Sequence, residues 1–311
     1  MSRTASSPRP FRFGCVARAP FTTRADWLER VRRIDQHGFD TVLLADHLGM
    51  WSPFTALVAA ADATDRLRLG VQVLNVELWN PALLAREVAT ADALTDGRIE
   101  VGFGAGHAEV ELLAAGLRYP RAGERVDHLA EMVPLVRRLL AGEEVTVDGH
   151  YPLACSATGL TPAQDRIPFM VGGNGDRVLA IGARDADTVS LVGFTSGTGR
   201  THTDLSHFTW AGLADRVAHV RAAGVGRDDL ELSVLVQSVT ETDDRAGAAA
   251  TLAARFEQPV EVMRDSPFVL IGSAAELAGQ IRRLRDDHGV TYVTTFEPSA
   301  PALAAAIAQL R

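Results

Sequence analysis

Thr41-Val42-Leu43-Leu44-Ala45-Asp46-His47 is an almost wholly apolar run that ends on two ionisable groups. A short, unbroken apolar run suits a central strand of a parallel sheet, because helices cover such a strand on both faces. In parallel α/β folds, ligands and catalytic groups collect at the C-terminal ends of the strands. Asp46 and His47 are therefore the first candidates for an active site.

The same signal recurs outward from this stretch. Strands are expected at 11–17, 41–45, 67–74, 98–104, 167–172, 188–192, 232–239 and 290–296. Helical patterns alternate with them, one with Trp27, Leu28, Val31 and Ile34 on its apolar face and another with Val126, Leu129, Val133, Val136 and Leu140. Gly38 reads as a C-terminal glycine cap, Ser52-Pro53 and Asn80-Pro81 as helix starts, and Ser273 with Glu276 as a capping box. Eight βα units with no Pro-rich or charged linker predict one closed (β/α)8 TIM barrel, an α/β fold, rather than an open doubly wound sheet.

Residues 1–10 read as a disordered N-terminal tail and 11–311 as the barrel domain, with insertions near 143–166 and 194–208. The first alternates around Asp148-Gly149, as a hairpin outside the main sheet does. The second is rich in Gly, Thr, Ser and His over 195–207. It is expected to be a mobile lid offering Arg200, His202 and His207.

Composition limits the function. A net charge of -8 and a pI near 5.6 leave no basic field for a nucleic acid backbone, so small molecules are the expected partners. No run approaches the roughly 18 apolar residues of a membrane span, and no signal peptide is read at the start. The expected location is cytoplasmic. Cys15 and Cys155 read as small buried hydrophobes. The nine histidines are scattered, with no His pair at one-turn spacing, so no metal is expected. A Gly-x-Ser-x-Gly elbow is also missing, which disfavours a hydrolase.

Two glycine clusters carry the remaining chemistry. Gly172-Gly173-Asn174-Gly175-Asp176-Arg177 leads from strand five into a helix, where free N–H groups attract an anion and Arg177 adds a cation. A plain tight turn is the alternative. The spacing is neither a Walker loop nor the dinucleotide fingerprint. Gly102, Gly104 and Gly106 lead from strand four to His107, which reads either as an acid, base or ligand contact or as a hydrogen-bonded structural histidine. Trp51 either walls a pocket or covers the core.

The order of Leu44-Ala45-Asp46-His47, Leu69-Gly70-Val71-Gln72-Val73-Leu74-Asn75, Asn80-Pro81 through Asp96-Gly97-Arg98, and Val101-Gly102-Phe103-Gly104-Ala105-Gly106 resembles the bacterial luciferase-like superfamily. Ala122-Gly123-Glu124-Arg125, Val171-Gly172-Gly173 and Val269-Leu270-Ile271-Gly272 extend the resemblance over nearly the whole chain. Within that superfamily the chain looks most like the oxidoreductases that use the deazaflavin coenzyme F420. The resemblance implies a coenzyme contact at Asp46, catalytic roles for His47 and Trp51, and a non-proline cis peptide within 72–74. It also implies contacts at Val73, Leu74, Asn75, Ala105 and Gly106, with the phosphate near Gly172, Gly173, Asn174, Gly175, Asp176 and Arg177. A homodimer is implied as well.

One departure matters: the sugar-phosphate dehydrogenases of that group have a glutamate where this chain has His107. Their substrate and proton-transfer scheme are therefore not expected to carry over. The rival readings are a monooxygenase using reduced FMN from a separate reductase, and a barrel that binds a phosphorylated metabolite without redox chemistry.

Overall fold

The computed structural model describes residues 9–18, 22–155, 159, 161–196 and 203–311. Residues 1–8 of the expected tail, and Arg200 and His202 of the expected lid, lie outside them. Eight parallel strands close into a barrel: β1 (Arg12–Ala17), β2 (Thr41–Leu44), β3 (Arg68–Asn75), β4 (Ile99–Gly104), β5 (Phe169–Gly173), β6 (Thr188–Leu191), β7 (Glu231–Val236) and β8 (Val290–Phe296). Each pairs with its neighbours in chain order, and β1 closes on β8 through Arg12 opposite Tyr292 and Val16 opposite Phe296. The expected eight strands are thus the eight staves.

Every residue of β2 is buried, as the apolar run predicts. Helices supply the outer cover. Val31 and Ile34 of α1 (Arg24–Gln36) and Leu57 of α2 (Pro53–Ala61) are almost fully excluded from water, each such side chain contributing about 1.5–3 kcal/mol. Gly38 stands at φ +82°, and Asn80 caps α3 (Pro81–Leu94) by accepting from the N–H groups of Ala82 and Leu83. Ser52 holds the corresponding place before α2 without a side-chain cap bond, leaving Pro53 to set the start. The capping box of Ser273 and Glu276 is present.

Beyond these come α4 (Glu109–Ala114), α5 (Ala122–Leu140) and α6 (Asp176–Asp185). The hairpin over 145–155 pairs Val145–Val147 with Leu153–Cys155, outside the barrel as expected. The seventh strand differs from its expected span. β7 ends at Val236, and Ser238–Glu241 leaves the barrel to pair in parallel with Val269–Gly272. The Gln237 N–H donating to the Phe268 carbonyl (2.8 Å) marks the change of partner.

At the end of β3 the Gln72–Val73 peptide is cis, within the span expected for it. The register of β3 on β4 shifts there, between Val71 and Leu74. The glycines facing this bulge are required by space. A Cβ on Gly102 would lie 2.3 Å from the Val71 carbonyl oxygen, and one on Gly104 would lie 2.6 Å from a Val73 methyl. Gly102→Ala is expected to cost about 1–3 kcal/mol, the usual toll of overpacking, because the obstacle is main chain. Gly49→Ala, with nothing within 4 Å and no left-handed φ, is the near-neutral control. Chemical denaturation midpoints of the two variants check the contrast.

Candidate active site

The C-terminal mouth of the barrel gathers residues from four strand ends. Asp46, just past β2, accepts hydrogen bonds from Trp79 Nε1 (2.8 Å) and from the Asn75 N–H (3.2 Å), and so ties the end of β2 to the turn after β3. Burial pushes its carboxyl above the usual range, although both donors and neighbouring His47 pull the other way. Asn75 is 7% exposed, and its Oδ1 accepts from the Glu77 N–H (3.2 Å). Gly106, at φ +73°, lets the chain pass against it, since a Cβ there would lie 2.1 Å from Asn75 Oδ1.

His47 meets a residue that sequence reading did not select. Its Nδ1 lies 2.9 Å from Glu111 Oε1, and the Leu48 N–H donates to the other carboxylate oxygen (3.2 Å). A carboxylate accepts, so Nδ1 carries the proton and Nε2 is the nitrogen left to exchange one with a reacting molecule. Glu111 lies 64 residues further along the chain, on α4. The signal available was weak: two glutamates in the first turn of a short helix just after His107.

His107 stands edge-on to His47 at 5.9 Å between ring centroids. His107 is exposed. Loss of surrounding water, helped by the nearby His47, holds its imidazole below the ordinary value, which favours the neutral form. Trp51 is 37% exposed, outside the buried core. Leu74 is fully buried in the core, which leaves only its main chain for the contact the resemblance implies, whereas Val73 projects at the bulge beside Gly102, Gly104 and Gly172. Ala105 follows β4 and is half-buried.

Around the second glycine cluster, Gly175 precedes α6 with no side-chain cap, so the helix start faces outward with its N–H groups available. Asn174, 4% exposed, directs Nδ2 toward His207 Nδ1 (3.2 Å) and Thr195 Oγ1 (3.4 Å), and its buried Oδ1 has no hydrogen-bond partner. The expected cation, Arg177, is instead paired with Asp127 on α5. Arg216, unselected by sequence reading, also reaches this loop, bound to Asp176, to Asp215 and to the Asn174 carbonyl. That bond holds the Asp176 carboxyl below the usual range.

The donor set suits a planar ring with an anionic tail. The Val73 side chain lies against the glycines of the neighbouring strands, two imidazoles follow the ends of β2 and β4, and the helix start after Gly175 has no side-chain cap. The opposite end of the barrel differs: a cleft of about 370 Å³ there is lined by Arg12, Asp229 and Glu231, which are held in ion pairs, and by Arg9, which donates to the Asp229 carbonyl. One further grouping appears away from the mouth. Glu77, His128 and His150 come together from three separate segments, which a test of local His spacing could not detect.

Fold and site together define a (β/α)8 barrel whose mouth carries a cis peptide at Gln72–Val73. The chain belongs to the luciferase-like monooxygenase family, whose sequence profile matches residues 10–309. An F420-dependent glucose-6-phosphate dehydrogenase of Nakamurella multipartita is 29% identical over 289 residues, covering 86% of this chain and 83% of that protein. One from Intrasporangium calvum is 38% identical over 181 residues, covering 54% and 53%. The chain thus spans about half the length of several curated relatives it matches. Among solved structures, an F420-dependent secondary alcohol dehydrogenase in complex with an F420–acetone adduct superposes with a TM-score of 0.77 over 97% of this chain and 100% of that one, at 20% identity. That likeness bears out the barrel.

Proposed function

We propose that the chain transfers a hydride between coenzyme F420 and a small organic substrate, with His47 moving the accompanying proton. One observation carries this reading: the Val73 bulge lies on the stave next to the one that His47 follows, Asp46 and the Asn75 N–H join the two ends, and His47 is already oriented by Glu111. The names of the curated relatives support the choice of coenzyme. The main chain at Val73, Leu74, Asn75, Ala105 and Gly106 would border the ring. Gly172, Gly173, Asn174, Gly175 and the first turn of α6 would hold the phosphate, with Arg216 supplying the cation expected of Arg177. The deazaflavin supplies the redox chemistry when bound; the protein supplies orientation and proton management.

His107 in place of a glutamate points to a substrate other than the sugar phosphate named for the relatives. The same reading includes one barrel domain over 11–311, a cytoplasmic homodimer, and a reductase as the source of reduced coenzyme. Among the described residues, no helix is long and apolar enough to cross a membrane. Exposed Leu48, and Val110 and Leu113 on α4, form apolar surface beside the His47–Glu111 pair that suits a second copy or an apolar substrate.

The test is a titration of purified protein with F420 and with reduced FMN, followed by a substrate screen with oxygen consumption monitored. Saturable F420 binding and turnover without oxygen are expected. Strict oxygen dependence with reduced FMN would replace this reading by the monooxygenase one.

A further inference from the structure

Glu77, His128 and His150 form a second polar cluster that the proposed reaction does not use, with one candidate ligand atom from each within 4.8 Å of the others. Glu77 lies in the turn after β3, His128 on α5, and His150 at the tip of the hairpin over 145–155. The Glu77 and His128 side chains are each only 6% exposed, and His128 Nδ1 lies 2.7 Å from Glu77 Oε1. The His150 ring stacks on that of His128, with centroids 3.1 Å apart and planes 13° from parallel.

The tip that presents His150 is built to hold it there. Glu131, one turn beyond His128 on α5, accepts from the N–H groups of His150 (2.9 Å) and Tyr151 (3.0 Å). Gly149 permits that approach, since a Cβ would lie 2.4 Å from Glu131 Oε1. The Tyr151 hydroxyl donates to the Val76 carbonyl (3.2 Å), joining the hairpin to the residue before Glu77.

We propose that Glu77, His128 and His150 bind a divalent transition metal ion of the Zn²⁺ class, as a clasp fastening the hairpin to α5 and to the turn after β3. Two imidazoles and one carboxylate are a common zinc donor set and leave a fourth position for water. Parallel rings do not aim both lone pairs at one ion, so loading requires His150, the exposed member, to rotate about its side-chain torsions while Glu77 and Glu131 keep the rest in place. The ion takes the place of the proton between His128 Nδ1 and Glu77 Oε1, and that proton moves by way of water to Nε2, so the ligating ring stays a neutral imidazole.

The test uses untagged, chelator-treated full-length protein, titrated with Zn²⁺ against a chromophoric chelator, alongside His150→Asn and Glu77→Gln. The wild type is expected to bind one Zn²⁺ per chain at micromolar or lower Kd, with a raised Tm. His150→Asn, a change at an exposed tip, should weaken that binding at least tenfold and abolish the Tm rise. Equal binding by wild type and His150→Asn, or no stoichiometric binding by the wild type, would overturn the proposal and leave the cluster as a hydrogen-bonded packing contact. Because Zn²⁺ binding is read without F420, the result is independent of the proposed redox function.

Discussion

Replacing His47 with alanine is expected to lower turnover by about 10²-fold or more, the usual loss when a positioned acid or base is removed. The Glu111 contact holds the His47 proton on Nδ1 and leaves Nε2 to serve the reacting molecule. Glu111→Gln tests this separately, because glutamine keeps the shape but offers an amide that can present a donor to Nδ1. Glu111→Gln should lower kcat less than His47→Ala does, and the double variant should lose no more than His47→Ala alone, since both changes act through one imidazole. The measurement is hydride transfer followed by coenzyme absorbance, with F420 affinity titrated in each variant. Wild-type turnover in His47→Ala would remove the residue from the proposed mechanism. Fully additive losses would show that Glu111 acts on something other than His47.

Much of the barrel was legible because its cause is local. An apolar run of four to eight residues, a turn residue and a period of three to four recur eight times, and each stave needs only its own sequence to declare it. The end of β7 was less legible. Val236 and Val239 are equally apolar, and only the competing strand over Val269–Gly272 decides that the chain leaves the barrel between them. The site divides along the same line. Asp46 and His47 announce themselves as polar groups ending a buried strand. Glu111 does not, because what selects it is an approach across the mouth from a helix 64 residues away. Arg177 was expected beside the glycine loop because it is adjacent in sequence, yet its guanidinium meets Asp127, and Arg216 from the helix over Trp210–Ala223 reaches the loop through Asp176. Side chains at a barrel mouth are assigned by competition between neighbouring loops, which a single sequence does not display.

At the other end of the barrel, Arg12→Met is expected to cost about 3–5 kcal/mol of stability, the range for breaking a buried ion pair from one side. Arg12 at the start of β1 bridges two strands: Nη2 lies 2.6 Å from Glu100 on β4, and Nη1 lies 2.6 Å from Glu231 on β7. Those carboxylate side chains are only 10% and 8% exposed, and the guanidinium lies 4.3 Å from the centre of the buried Tyr292 ring. Burial alone would ease the proton off Arg12, but Glu100, Tyr292 and Glu231 outweigh it and raise the guanidinium further above its ordinary value. The two acids differ in what remains without it. Glu100 keeps Arg68, whereas among the described residues Glu231 keeps hydroxyl donors, from Thr291 at 3.3 Å and Thr188 at 3.5 Å. Most of the loss should therefore come from Glu231, and Arg12→Met combined with Glu231→Gln should recover a large part of it. Denaturation midpoints of the two single variants and the double variant measure that coupling. A loss below about 1 kcal/mol for Arg12→Met would place the pair in the range of solvent-exposed bridges and show that water at the barrel's base substitutes for the guanidinium.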